Sequence, residues 1–463
     1  DEDIRRLSGV LVNTGTLVQE AGSTYFVGAS LQNSGTAEVR AGGWSNATDT
    51  DSFVNTGTLR KTTNDSFTIS VPMQQQNAFV DVQAGTLTLA DSSNTHQDVS
   101  WSVAEGATLY LPSGTHTFVG THGGAIAGTL IQTGGVVQAG SDGATFNFTG
   151  TGYQWRTGRL NGGSAGLTNA GLLRMVDADT RRLSGVLVNT GTLVQEAGVT
   201  NFNGASLQNS ATAEVRAGGW SNATDTDSFV NTGTLRKTTN DSFTISVPMQ
   251  QQNAFVDVQA GTLTLADSSN THQDVSWSVA EGATLYLPLD TTHTFVGTHS
   301  GAIAGTLIQT GGVVQAGSDG ATFNFTGTGY LWQSGRLNGG SAGLTNAGLL
   351  RIVGDYGRHL SGVLVNTGTL VQEAGSTYFV GASLQNSATA EVRAGGWYNN
   401  TGTNSLVNTG TLRKTTNDSF TISVPMQQQN ASVNVQAGTL TLSANSNTHQ
   451  DVGWSVAEGA TLY

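Results

Sequence analysis

The segment RRLSGVLVNTGTL begins at Arg5 and again at Arg181, and a third version, RHLSGVLVNTGTL, begins at Arg358. A chain that repeats itself at offsets of 176 and then 177 residues is not a set of unrelated domains, although 463 residues alone would suggest about three. The extra residue can be located: LPSGTHTF at Leu111 becomes LPLDTTHTF at Leu287, so an exposed loop is expected just after Pro288. Residues 1–6, DEDIRR, align with DADTRR at Asp177 to Arg182, and the final Tyr463 matches Tyr110. Both ends are therefore expected to be cuts through a longer array. The organisation read from these matches is a tail of a preceding copy at 1–6, a first copy at 7–182, a second at 183–359 and a truncated third at 360–463, forming one continuous rod.

Within each copy a shorter period emerges from LVNTGTLVQE at Leu11, LQNSGTAEVR at Leu31 and FVNTGTLRKT at Phe53, spaced by 20 and then 22 residues. Looser versions include VQAGTLTLAD, VAEGATLYLP and LTNAGLLRMV at Leu167. Period-2 alternation broken by Gly, Asn, Ser and Asp turns is the pattern of short strands. A unit of this size cannot bury its own apolar face and must stack on its neighbours. The expected fold class is all-β, a single elongated parallel β-helix (β-solenoid) of about 20–22 residues per coil; roughly 22 coils would give a rod about 100 Å long.

Stacking the units predicts columns. Leu11, Leu31 and Phe53 form one inward column, and Leu17, Ala37 and Leu59 another. Asn13, Asn33 and Asn55 form a third, repeated as Asn189, Asn209 and Asn231 and as Asn366, Asn386 and Asn408, where an amide can serve a turn and bond to the amide one coil away. Gly35 is replaced by Ala211 and Ala388, so that position needs no positive φ. Glu20 falls beside Arg40 and Glu38 beside Arg60, which would pin the register.

Composition narrows the function. A net charge of −13 with only 19 Lys and Arg, thinly spread, argues against nucleic acid as a partner. The absence of cysteine removes disulfides and thiol chemistry. No apolar run of about 18 residues exists to insert in a membrane, and DEDIRRLSG is not a signal segment, so any export signal is expected outside this sequence.

The NTGTL coils, the block YQWRTGRLNGGSAGLTNAGLLRM from Tyr153 to Met175 and the lack of cysteine resemble the right-handed parallel β-helix repeats of giant bacterial surface proteins, the filamentous haemagglutinin-like adhesins and autotransporter passengers. The resemblance spans essentially the whole chain. It implies right-handed winding, export to the bacterial cell surface, and a stalk with adhesive or matrix roles.

Candidate sites are few. None of the eight histidines has an HxxxH or HExxH spacing, and their polar contexts predict surface positions, including His96, His116, His122, His272, His293 and His299. Asp49 and Asp51, repeated as Asp225 and Asp227, could give two oxygens to calcium, but the third copy has Gly402 and Asn404 there. A polysaccharide-degrading β-helix enzyme would need clustered carboxylates, and the acidic residues here are scattered. No cofactor, metal site or catalytic residue is expected. Trp101 alternates with serines between Val99 and Val103 and reads as core, whereas Trp44, Trp220 and Trp397 follow Gly-Gly and precede polar loops, which suggests exposed rings able to stack on a glycan. Asn46, Asn222 and Asn399 begin N-x-T sequons and are candidate glycosylation sites, with an Asx-turn as the plain alternative.

The function expected from these readings is mechanical: a structural segment of a secreted surface fibre or adhesin stalk, with identical chains end to end or side by side as partners. A carbohydrate-binding adhesin using loop aromatics, with cell-surface or matrix glycans as partners, is the alternative.

Overall fold

A computed structural model describes residues 4–463. Residues 1–3, half of the expected tail segment, lie outside the described residues. The chain divides into two units, Asp1–Val230 and Asn231–Tyr463, and the division falls inside the second sequence copy. In both units the described residues form strands with no helix, and these pair in parallel in one-coil steps. Parallel strands need crossover connections, and here each crossover consists of the other strands of the same coil, which defines a parallel β-solenoid. Among the described residues about 21 make one turn, and the two units together hold about 22 turns.

The alternation in the sequence explains why strands form and which way they face. In Ser66–Ser70, Phe67 and Ile69 are buried while Thr68 and Ser70 lie on the outer side. The β-branched and hydroxyl-bearing residues suit a pleated, half-buried surface. The expected inward columns lie in register: Leu11 pairs with Leu31 and Leu31 with Phe53, and Leu17 pairs with Ala37 and Ala37 with Leu59. Phe53 and Leu59 are fully buried, whereas Leu11, covered by a coil on one side only, is 38% exposed.

Corners are made by residues that tolerate the left-handed region. Asn77 and Asp98 stand at φ 50° and 49° between consecutive strands, and Gly120 continues that corner at φ 77°. A Cβ on Gly120 would lie 2.1 Å from Asp98 Oδ1, so the close approach as well as the angle requires glycine there. Gly35 has no positive φ, as its replacement by alanine in the other copies indicated. The one-residue insertion lies outside the strands, between Thr284–Leu287 and Thr292–Ile303.

Copy boundaries leave no mark on the pairing. In the first unit Leu160 pairs with Leu183 and Leu167 with Leu187 across the first boundary; in the second unit Leu337 pairs with Leu360 across the next. The repeat is a unit of sequence, and the coil is the unit of structure.

Candidate functional site

The asparagine column is a continuous, one-directional ladder. Asn13 donates from Nδ2 to Asn33 Oδ1 at 2.6 Å, and Asn33 Nδ2 donates to Asn55 Oδ1 at 2.7 Å. Each amide also serves the backbone beside it, as Asn33 does through the Thr58 carbonyl at 3.2 Å. Later in the first unit Asn169 donates to Asn189 and Asn189 to Asn209, at 2.7 and 2.6 Å. In the second unit the run is Asn346, Asn366, Asn386 and Asn408, and Asn231 is fully buried. Asn169 and Asn346 head their ladders and were not among the expected positions. The signal for Asn169 was present, since LTNAGLLRMV aligns with the coil at Leu187.

The column then changes chemistry. Asn55 is in register with Gln75, and Gln75 with His96. His96 Nδ1 lies 2.7 Å from Gln75 Oε1, and its Nε2 lies 3.2 Å from His116 Nδ1. The second unit repeats this with Gln251, His272 and His293. The expectation of surface histidines is therefore corrected for six of the eight: His96, His116, His122, His272, His293 and His299 are at most 1% exposed. Their polar sequence context misled because NTHQ is the coil after MQQQ, and both stand in the phase of FVN, which points inward. Burial lowers His116 and His122 to about 4 from an ordinary 6.5. Burial, with His116 and His122 alongside, holds His96 well below its ordinary value. His359 and His449 are exposed.

The tryptophans Trp44, Trp220 and Trp397 are not surface rings. They are 3%, 1% and 1% exposed, which removes them as glycan contacts. Gly42–Asn46 is a strand whose single inward residue is Trp44. The two glycines before it allow close backbone approach, since a Cβ on Gly42 would sit 1.9 Å from the Gly22 carbonyl. Each indole donates its N–H to a glutamine one coil away: Trp44 to Gln19, Trp220 to Gln195 and Trp397 to Gln372, at 3.1, 2.7 and 2.7 Å. Trp44 also packs edge-on against Phe53 and Phe67. Trp101 is core, at 2% exposure.

The acidic loop caps backbone. Asp51 is 2% exposed and accepts hydrogen bonds from the amides of Ala29, Ala47 and Thr48 at 2.7–2.8 Å. Burial raises its carboxyl, but these bonds outweigh that and hold it below the ordinary value. Asp227 does the same in the second copy, and in the third Asn404 accepts from the Ala382 amide while donating to the Phe379 carbonyl. An amide that keeps the bond to the alanine one coil back, Ala382 in place of Ala29, identifies the position as a turn cap. No group of three or more His, Cys, Asp or Glu among the described residues could hold a metal ion.

The sequon asparagines Asn46, Asn222 and Asn399 are exposed. The threonines after Asn46 and Asn222 are engaged by the fold, with Thr48 and Thr224 accepting from the amides of Gly28 and Gly204. Arg40 meets Glu20 at 2.5 Å. Glu38 lies opposite Arg60 as expected but bonds to Arg40, while Arg60 turns to Asp81. The equivalent cross-coil pair does form in the third copy, where Arg413 reaches Glu391 at 2.8 Å.

Two sets of buried cations were not foreseen. Lys61, Lys237 and Lys414 are fully buried, each donating to the carbonyl of the second residue along, Thr63, Thr239 or Thr416. Arg181 is likewise buried and fills a corner by donating to the carbonyls of Val176, Asp177, Arg156 and Ala197. These polar groups are spent on holding coils together. No protein-family profile, curated protein or solved structure matches the chain.

Proposed function

We propose that this protein is a structural element whose working property is length: a stalk or fibre segment built by coil stacking, exported and displayed at a bacterial cell surface, able to join identical chains by the same coil-on-coil contact. The observation that supports it most is the unbroken register at the copy boundaries, where Leu160 meets Leu183 and Asn169 meets Asn189 as any two coils meet within a copy. Copies joined in this way can be added without inventing a new contact, so duplication changes extent and little else. The coil faces carry unpaired strand edges that pair with a further coil wherever one is supplied.

The reading is tested by labelling intact source cells with an antibody raised against the 183–359 copy and imaging by electron microscopy. Label along filaments extending from the surface is the expected result. Label that appears only after permeabilisation would reject display.

A further inference from the structure

The second and third copies are nearly the same sequence. Leu183–Gly198 returns unchanged as Leu360–Gly375, and Ala205–Trp220 as Ala382–Trp397. Against that background, one outward row differs. In the first unit the row runs Arg159, Arg182, Asn201, Ser221, each in register with the next. In the second unit the same row runs Arg336, His359, Tyr378, Tyr398. A histidine and two tyrosines stand on consecutive coils where the other row has Arg182, Asn201 and Ser221, the tyrosine at 378 recurring in the first copy as Tyr25, and Tyr356, 59% exposed, stands where the repeat has Asp179 one copy earlier.

Two of the three residues beneath the rings changed with them, and the third is glycine in both. The outward neighbours two positions back along the strands are Thr180, Val199 and Gly219 in the first row and Gly357, Ser376 and Gly396 in the second. A Cβ on Gly396 would lie 2.7 Å from Tyr398 Cζ, and one on Gly357 would lie 3.1 Å from Tyr378 Cε2. The rings therefore lie down over a row of small residues, Gly357, Ser376 and Gly396. Face-to-face stacking on adjacent coils would place centroids near the strand spacing of about 4.8 Å. The observed centroid separations are 5.9 Å for His359–Tyr378 and 5.8 Å for Tyr378–Tyr398, with the planes tilted by 34° and 32°. This is a pavement of rings along the surface.

At the head of the row Arg336 is exposed, and among the described residues it forms no ion pair, whereas Arg351, Arg393 and Arg413 all do. Exposed amides, Asn399 and Asn400, border the other end. Aromatic faces flanked by amides and hydroxyls suit the alternating C–H and O–H surface of a sugar ring, and an unpaired guanidinium suits an anionic group. One side chain per coil, advancing by the strand spacing, also matches a linear polysaccharide, whose pyranose units repeat at close to that length.

We propose that the row Arg336, His359, Tyr378, Tyr398 binds a linear anionic polysaccharide lying across successive coils, its sugar rings on the tyrosines and its carboxylate or sulfate at Arg336. The proposal does not depend on surface display or on end-to-end joining.

The test uses the whole chain and three immobilised probes: polygalacturonate for carboxylates, dextran sulfate for sulfates and neutral cellohexaose. The double variant Tyr378→Asn/Tyr398→Ser restores the residues of the second copy, which the fold already accommodates. It is expected to weaken binding of at least one anionic probe tenfold or more, with unchanged far-ultraviolet circular dichroism. Arg336→Gln is expected to weaken the anionic probes fivefold or more, and the probe affected identifies the anionic group. Equal binding by the double variant, equal affinity for cellohexaose, or no binding of either anionic probe at millimolar sugar would overturn the proposal. So would self-association of the chain that the double variant abolishes, which would assign the row to a second copy.

Discussion

Asn169 and Asn189 are joined by a hydrogen bond of 2.7 Å, Nδ2 of the first donating to Oδ1 of the second, although one belongs to the first sequence copy and the other to the second. Asn189 in turn donates to Asn209. Asn189→Ala removes an acceptor and a donor at once and leaves buried partners unsatisfied, a loss of about 1–3 kcal/mol; Asn189→Asp, which buries a carboxylate, should lose more. Solenoids open locally. The expected readout is faster hydrogen exchange across Leu187–Gln195, with distant coils unaffected. Unchanged exchange there would remove the ladder as a source of stability.

Trp220 fills the interior and its N–H is bonded to Gln195. Trp220→Ala is expected to destabilise its unit by about 3–5 kcal/mol through the cavity it leaves. Trp220→Phe keeps most of the packing and should lose less. Denaturant titration distinguishes them, and an alanine variant as stable as the parent would contradict the buried assignment.

The third copy has already replaced the capping Asp with Asn404. Asp51→Asn keeps an acceptor for the Ala29 amide but turns an NH2 toward the amides of Ala47 and Thr48, so it should lose stability, though less than Asp51→Ala, which orphans three amides and should lose about 1–3 kcal/mol. Calcium or a chelator should leave the thermal midpoint of the parent unchanged. A calcium-dependent rise that Asp51→Ala abolishes would restore the metal reading.

The buried histidines make acid destabilising. Their folded values lie below the unfolded value of 6.5, at about 4 for His116, His122 and His299 and about 3 for His293. The unfolded chain therefore binds more protons in this window, so the stability they contribute is complete above pH 6.5 and is lost as pH falls towards 4. Each shift from 6.5 to about 4 corresponds to about 3 kcal/mol. The denaturation midpoint should already fall between pH 6.5 and 5, before most carboxylates titrate. A flat midpoint over that interval would contradict neutral burial.

Asn55 Nδ2 and Gln75 Nε2 are both buried without a hydrogen-bond partner, on adjacent positions of one column. A half-turn of the Gln75 carboxamide would address both, turning its oxygen toward Asn55 and its NH2 toward His96 Nδ1. The ladder would then run on through His96 in the same direction. Nitrogen-15 NMR should find the His96 proton on Nε2, and a proton on Nδ1 would place the break in the ladder at Gln75.

The fold was legible because two periods, the repeat and the coil, both register in the sequence, and because Leu31, Phe53 and Leu59 alternate with polar residues that face water. The ladder was legible for Asn13, Asn33 and Asn55 because each stands in the same NxG frame. What failed were residues whose local context is polar but whose phase is inward: His96 among Asn, Thr and Gln, Trp44 among glycines, Lys61 after an arginine. A polar neighbour on a strand says nothing about its next residue, which points the other way. The tyrosine row was hidden for a related reason, since Tyr378 and Tyr398 become neighbours only when coils are laid over each other.

The central claim is that copies add extent by continuing one stack of coils. Variants carrying two, three and four complete copies, measured by electron microscopy and small-angle scattering, test it most directly. A copy of 176 residues at about 21 per turn is about eight coils, and at the strand spacing each added copy should lengthen the particle by about 40 Å at constant cross-section. Particles that grow in width, or whose length does not change with copy number, would contradict the account.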